Sequence, residues 1–159
     1  MGKLTLPLAG QCRCGDIRLR ISAPPILTMA CHCRGCQRMS ASAYSLSAAI
    51  PTGGFEITRG EPVPGGLRDP LLRHFFCPWC MSWMFTRPPE IVTRFLPEFV
   101  NVRATLLDDV SWFSPFLETW VSTKLSWVTT PAVHSYAEFP PVEDYARLLA
   151  EFPQALLAG

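Results

Sequence analysis

The chain has 159 residues, 48% of them apolar and only 17% charged, which supports an ordinary hydrophobic core and excludes a disordered or coiled-coil polypeptide. Sixteen prolines and ten glycines argue for many turns and against long helices. A formal net charge of +1 lacks the electrostatic footprint of a phosphate-backbone binder, which argues against nucleic acid, and no apolar run reaches the ~20 residues of a membrane span.

In chain order, Leu4 to Leu8 reads as the first strand. The opening Met1 to Cys12 only superficially imitates a lipoprotein leader, because its apolar part is short, Pro7 breaks it and Gln11 separates Gly10 from the cysteine; the chain reads as unprocessed and cytoplasmic. Ile17 to Ile21 alternates apolar residues with Arg18 and Arg20, the period of a half-buried strand. Pro24-Pro25 is a break, Ile26 to Ala30 a strand, and Arg34 to Met39 a single helical turn. Further strands are predicted at Tyr44 to Ile50, Phe55 to Arg59, Leu71 to Phe76, Ser82 to Thr86, Ile91 to Phe95 and Phe99 to Leu106, separated by the turn clusters 51–54, 62–66 and 88–89. One longer helix is predicted at the C-terminal end, where Val142, Tyr145, Leu149 and Phe152 share a face, Pro140-Pro141 precede and Pro153 closes. Many short strands with turns between them predict one mainly β domain over residues 1–159, sandwich or barrel-like, with a C-terminal helix.

Seven cysteines in a chain read as cytoplasmic are not a disulfide framework, since the compartment is reducing and the count is odd. They fall as Cys12-x-Cys14, Cys31-x-Cys33-x-x-Cys36 and Cys77-x-x-Cys80. Short loops of this kind bring thiolates to one side of a turn, and two such pairs complete the tetrahedral sulfur cage that zinc prefers. Cys12 and Cys14 precede one predicted strand, and Cys77 and Cys80 follow another, so these two pairs are candidates for a closed structural site. Cys31, Cys33 and Cys36 then remain with no fourth cysteine. Catalytic zinc keeps an open position, so this triplet is where chemistry is predicted. The alternatives are that His32, His74 or His134 closes the cage, or that the triplet shares a sulfur with the first site. His32, lying between two ligands, is expected to point away.

Other residues carry two readings each. Twelve arginines against two lysines suit bidentate recognition of carboxylates, or simply reflect base composition. Arg34 and Arg38 flank the triplet and either pair with ligand carboxylates or are solvated. The five tryptophans line a cleft or fill the core, and Asp108-Asp109 supplies a base or caps a turn.

Gln11-Cys12-Arg13-Cys14-Gly15-Asp16-Ile17, Cys31-His32-Cys33-Arg34-Gly35-Cys36-Gln37-Arg38, Phe76-Cys77-Pro78-Trp79-Cys80, Leu107-Asp108-Asp109 and the stretch Trp120 to Trp127, in that order, resemble the glutathione-dependent formaldehyde-activating enzyme family, which includes centromere protein V-like members. The resemblance spans nearly the whole chain. It implies an Mss4-like complex β fold of short antiparallel strands with zinc knuckles. It also implies two zinc ions per chain: a structural one on Cys12, Cys14, Cys77 and Cys80, and a catalytic one on Cys31, Cys33 and Cys36. The implied activity is that of a carbon–sulfur lyase joining glutathione or a similar thiol to formaldehyde, or the reverse, with Arg34, Gln37 and Arg38 orienting the tripeptide. The rival reading is a non-catalytic zinc-binding interaction module of the same fold. Loading seven thiolates and two Zn²⁺ takes the formal charge from +1 to about −2, further against nucleic acid. Four features depart from the family pattern. Ala41 and Met81 stand where glycine is usual, Glu118 where histidine is common, and Ala104-Thr105 replaces a glycine-containing turn.

Overall fold

The computed structural model describes residues 2–66, 72–94 and 96–158. In chain order the elements are β1 (Leu8–Gln11), β2 (Arg18–Ile21), β3 (Leu27–Cys31), α1 (Arg34–Ser40), β4 (Ser45–Pro51), β5 (Phe55–Arg59), β6 (Val63–Gly65), β7 (Arg73–Phe76), β8 (Trp83–Arg87), α2 (Glu90–Thr93), β9 (Phe99–Arg103), β10 (Leu117–Thr119), β11 (His134–Ser135) and α3 (Asp144–Ala158). The protein is mainly β, as predicted. The chain forms two compact units, one of Met1–Leu4, Ile26–Ser47 and Ser111–Gly159, the other of Thr5–Pro25 and Ala48–Val110.

In the first unit the strand order is β11-β10-β3, followed by the start of β4. β10 lies parallel to both neighbours, with Thr119 in register with Cys31. Leu27, Thr28, Ala30 and Cys31 of β3 are all buried, the near-continuous burial typical of a strand covered on both faces. Leu148 and Phe152, one helical turn apart on α3, are buried, and Phe152 meets Phe116 edge-on at 5.4 Å. Each such side chain contributes about 1.5–3 kcal/mol by leaving water.

In the second unit β1, β2 and β5 form an antiparallel three-stranded sheet, and the rest of β4 leads into the order β9-β8-β7-β6. Along β2 the predicted alternation holds: Leu19 and Ile21 are buried, Arg18 and Arg20 exposed.

Several boundaries differ from those predicted. The first strand begins at Leu8 instead of spanning Leu4 to Leu8, because Pro7 has no N–H to offer a ladder. The strand predicted at Ile91 to Phe95 is instead the short helix α2, entered from Pro89, a residue suited to a helix start; Phe95 lies outside the described residues. Leu71, at the start of another predicted strand, also lies outside them, and that strand is seen as β7. The strand predicted to run on to Leu106 ends at Arg103, and Ala104–Leu106 forms a 3-10 turn. β6 falls inside a predicted turn cluster, because an exposed edge strand tolerates Pro64. β10 and β11 were not predicted; both are too short to show a period. Finally, Pro153 does not close the terminal helix, which continues to Ala158.

Candidate metal centres

The four-cysteine cluster lies wholly in the second unit. Cys12 follows β1, and its N–H donates to the Ile17 carbonyl at 3.0 Å, while the Gly15 N–H returns to the Cys12 carbonyl at 3.0 Å. Gly15 sits at φ +80°, which a side chain would resist, so this Cys-x-Cys-Gly turn needs its glycine. The second knuckle follows β7: the Cys77 N–H donates to Ser82 O and the Met81 N–H to Cys77 O, both at 3.1 Å. Ser82 stitches the knuckles together, with its Oγ 3.2 Å from Cys80 Sγ and accepting the Arg13 N–H at 3.1 Å. The four sulfurs lie within 4.8 Å of one another, with Cys12–Cys14 at 3.4 Å and Cys14–Cys77 at 3.7 Å. Tetrahedral zinc with bonds near 2.3 Å sets its sulfurs about 3.8 Å apart, so the donor set fits.

The three-cysteine cluster lies wholly in the first unit. Cys31 ends β3 and is buried; Cys33 caps α1, its sulfur accepting the Cys36 N–H at 3.3 Å; Cys36 stands in the first turn of that helix. The predicted helical turn is therefore present, and it folds Cys36 back over Cys33. All three sulfurs lie within 4.8 Å of one another, and among the described residues no histidine, carboxylate or further cysteine joins them. Each cluster could thus hold a metal ion such as zinc.

Thiol electrostatics explain why a cation fits. Hydrogen bonds from Cys31 and Cys36 hold the Cys33 thiol far down; Cys33 in turn pushes Cys31 up, and Cys31 and Cys33 together push Cys36 up. In the other cluster the Asp16 N–H favours the Cys14 thiolate, but burial and three sulfur neighbours push that thiol up to about 12. Burial disfavours the Cys80 thiolate, yet Ser82 brings it down to about 6. Crowded thiolates repel one another, and a cation held among them would relieve that repulsion.

None of the three histidines joins the triplet. His32 is fully buried and turned as predicted, with Nε2 3.1 Å from Glu118 Oε2 and its ring edge-on to Tyr44 at 5.3 Å. His134 pairs with Glu151 at 2.8 Å, and His74 with Thr86 Oγ1 at 2.8 Å. Gln37 is committed to the loop: its Nε2 donates to the carbonyls of His32 at 2.8 Å and Thr123 at 3.0 Å, while its Oε1 accepts from Arg34 Nη1 at 2.9 Å. Arg34 and Arg38 are exposed on α1. Asp108 is exposed, and its backbone N–H donates to the Ala9 carbonyl at 3.0 Å. Of the tryptophans, Trp83 and Trp112 are buried, whereas Trp79 and Trp127 are exposed.

Sequence reasoning missed the group around Glu118. This buried carboxylate accepts from Lys124, Thr130, Ser135 and His32. Burial disfavours its charge, but Lys124 foremost, with Thr130 and Ser135, holds the carboxyl down at about 2. Thr123 Oγ1, donating to the His32 carbonyl at 3.0 Å, was missed as well. These partners come from separated segments, and no spacing announces them.

Among families of known proteins, residues 7–123 match the one described as glutathione-dependent formaldehyde-activating enzyme. No curated protein matches the chain. Among solved structures it is similar to a Rhodobacter sphaeroides structural-genomics target, with a TM-score of 0.51 and 20% identity over 64% of this chain and 89% of that one, a likeness of fold.

Proposed function

Because the chain belongs to the glutathione-dependent formaldehyde-activating enzyme family, we propose that it is a zinc-dependent carbon–sulfur lyase, joining glutathione or a similar thiol to formaldehyde as the S-hydroxymethyl adduct, or running the reverse. The supporting observation is the triplet itself: three converging sulfurs with no fourth protein ligand among the described residues. In this reading Cys31, Cys33 and Cys36 are the catalytic metal ligands and do not themselves attack, while Cys12, Cys14, Cys77 and Cys80 hold a structural ion. A zinc ion on three thiolates supplies an open position that favours a fourth, soft sulfur and keeps it anionic at neutral pH. The net reaction forms one carbon–sulfur bond and leaves the thiol proton on the former carbonyl oxygen. Arg34 and Arg38 present guanidinium groups to the carboxylates of the thiol substrate, and Gln37 orients Arg34 through their shared hydrogen bond. Residues 1–159 are read as one such domain, acting in the cytoplasm.

A screen of small thiols with formaldehyde on metal-replete protein tests this. Glutathione is expected to bind with release of about one proton near neutral pH, since a free thiol of pKa ~8.5 is mostly protonated. S-methylglutathione is expected to bind much more weakly. Equal affinity for the two, with no turnover of any thiol, would favour the non-catalytic interaction module.

A further inference from the structure

Glu118 stands mid-strand on β10, in register with Ala30 of β3 on one side and Ser135 of β11 on the other. A buried carboxylate there is costly unless every lone pair is met, and here four side chains meet it. Lys124 Nζ lies at 2.8 and 3.1 Å, Thr130 Oγ1 and Ser135 Oγ each at 2.8 Å, and His32 Nε2 at 3.1 Å. An ionised carboxylate only accepts, so the Nε2 of His32 carries the hydrogen.

His32 is flanked by Cys31 and Cys33, and it is gripped twice. Glu118 holds its ring; Gln37 and Thr123 hold its carbonyl. The second grip also leads back to Glu118, because Lys124 directly follows Thr123 and is anchored on that carboxylate. Resting on the reading that the triplet binds a metal ion, we infer that Glu118 is a positioning residue for that site, acting through His32 to hold Cys31 and Cys33 in ligating register.

Cobalt titration, followed by thiolate-to-metal absorption, reads the triplet directly, with the four-cysteine site measured alone in Cys33→Ser protein. Glu118→Gln is expected to weaken cobalt binding at the triplet by about 10-fold, the low end of the loss on removing a direct partner of a metal ligand, because Glu118 acts one residue removed through His32, and to shift its absorption. Cobalt at the four-cysteine site is expected to bind unchanged. His32→Phe, with Glu118 intact, is expected to cause a similar loss, and the double variant to lose no more than the worse single one. Unchanged triplet affinity in folded Glu118→Gln protein, or losses that multiply in the double variant, would overturn the inference. If Glu118→Gln does not fold, His32→Phe decides alone, and unchanged triplet affinity there overturns it. Absence of cobalt from the triplet of the unsubstituted chain would overturn the metal reading and this inference with it. No thiol substrate enters the measurement, so the proposed reaction fails or stands separately.

Discussion

Ala41 and Met81 take left-handed backbone angles, φ +49° and +56°, a conformation that glycine adopts without strain. Ala41 ends α1, its N–H bonding to the Gln37 carbonyl, and Met81 closes the second cysteine knuckle. A side chain there costs about 1 kcal/mol relative to the unhindered backbone, so Ala41→Gly and Met81→Gly are each expected to raise stability by roughly that amount in denaturant titrations. A loss of stability in either would mean that the side chain contributes more than the strain removes. Glu118 sets a pH dependence at the same scale. Its carboxyl is held at about 2 against an ordinary 4.5, so the folded chain binds fewer protons than the unfolded one. The contribution, on the order of 3 kcal/mol, is complete above about pH 4.5 and is lost as pH falls through about 2. The stability gap between the unsubstituted chain and Glu118→Gln should therefore narrow on acidification. A gap that stays constant between pH 7 and 3 would show that shape, not charge, sets it.

The helix α3 shows local preference yielding to packing. Proline inside a helix removes the bond to the carbonyl four residues back, here Leu149, at a usual cost of about 3 kcal/mol, yet the helix runs on for five residues. Leu148 and Phe152, both buried just before Pro153, hold it in place. Pro153 itself is exposed, so Pro153→Ala restores the lost hydrogen bond without touching the core. It is expected to raise the melting temperature by several degrees, corresponding to about 1 kcal/mol or more. An unchanged melt would place the end of the helix before Pro153 in solution.

Among the described residues of the whole molecule, two clusters that could hold a metal ion differ in construction. Cys14 and Cys77 are 63 residues apart, so the four-cysteine cluster exists only when distant segments meet, and a metal bound there would be coupled to folding. The triplet spans six residues of one loop and helix start. Cys77→Ser is therefore expected to lose one metal equivalent together with the cooperative melt, whereas Cys33→Ser is expected to keep the melt and lose activity. Stepwise chelation followed by circular dichroism should remove the triplet metal first with little structural change, and the second only with unfolding. A Cys77→Ser protein that melts normally without its metal, or a Cys33→Ser protein that unfolds as badly, would undo this division of roles.

The cysteine spacing and the alternation of Ile17 to Ile21 were enough to identify a mainly β chain with a four-plus-three division of sulfurs, whereas of the face predicted for the last helix only Phe152 is fully buried, beside Leu148, and Val142 lies exposed before the helix. Those signals are local: a turn places Cys31, Cys33 and Cys36 together, and a period of two decides which side of β2 is buried. Glu118 is the counterexample. Nothing near it in sequence calls for an ionised carboxylate in the interior, and its partners Lys124, Thr130, Ser135 and His32 gather only once β10 lies between β3 and β11. The same holds for the bonds that Gln37 gives to the carbonyls of His32 and Thr123, and for Ser82, which ties the two knuckles together. The long-range bonds among these, His32 to Glu118, Gln37 to Thr123 and Arg13 to Ser82, depend on which backbone segments pack together, and that choice is made by the burial of the whole apolar set, which no short stretch of sequence contains.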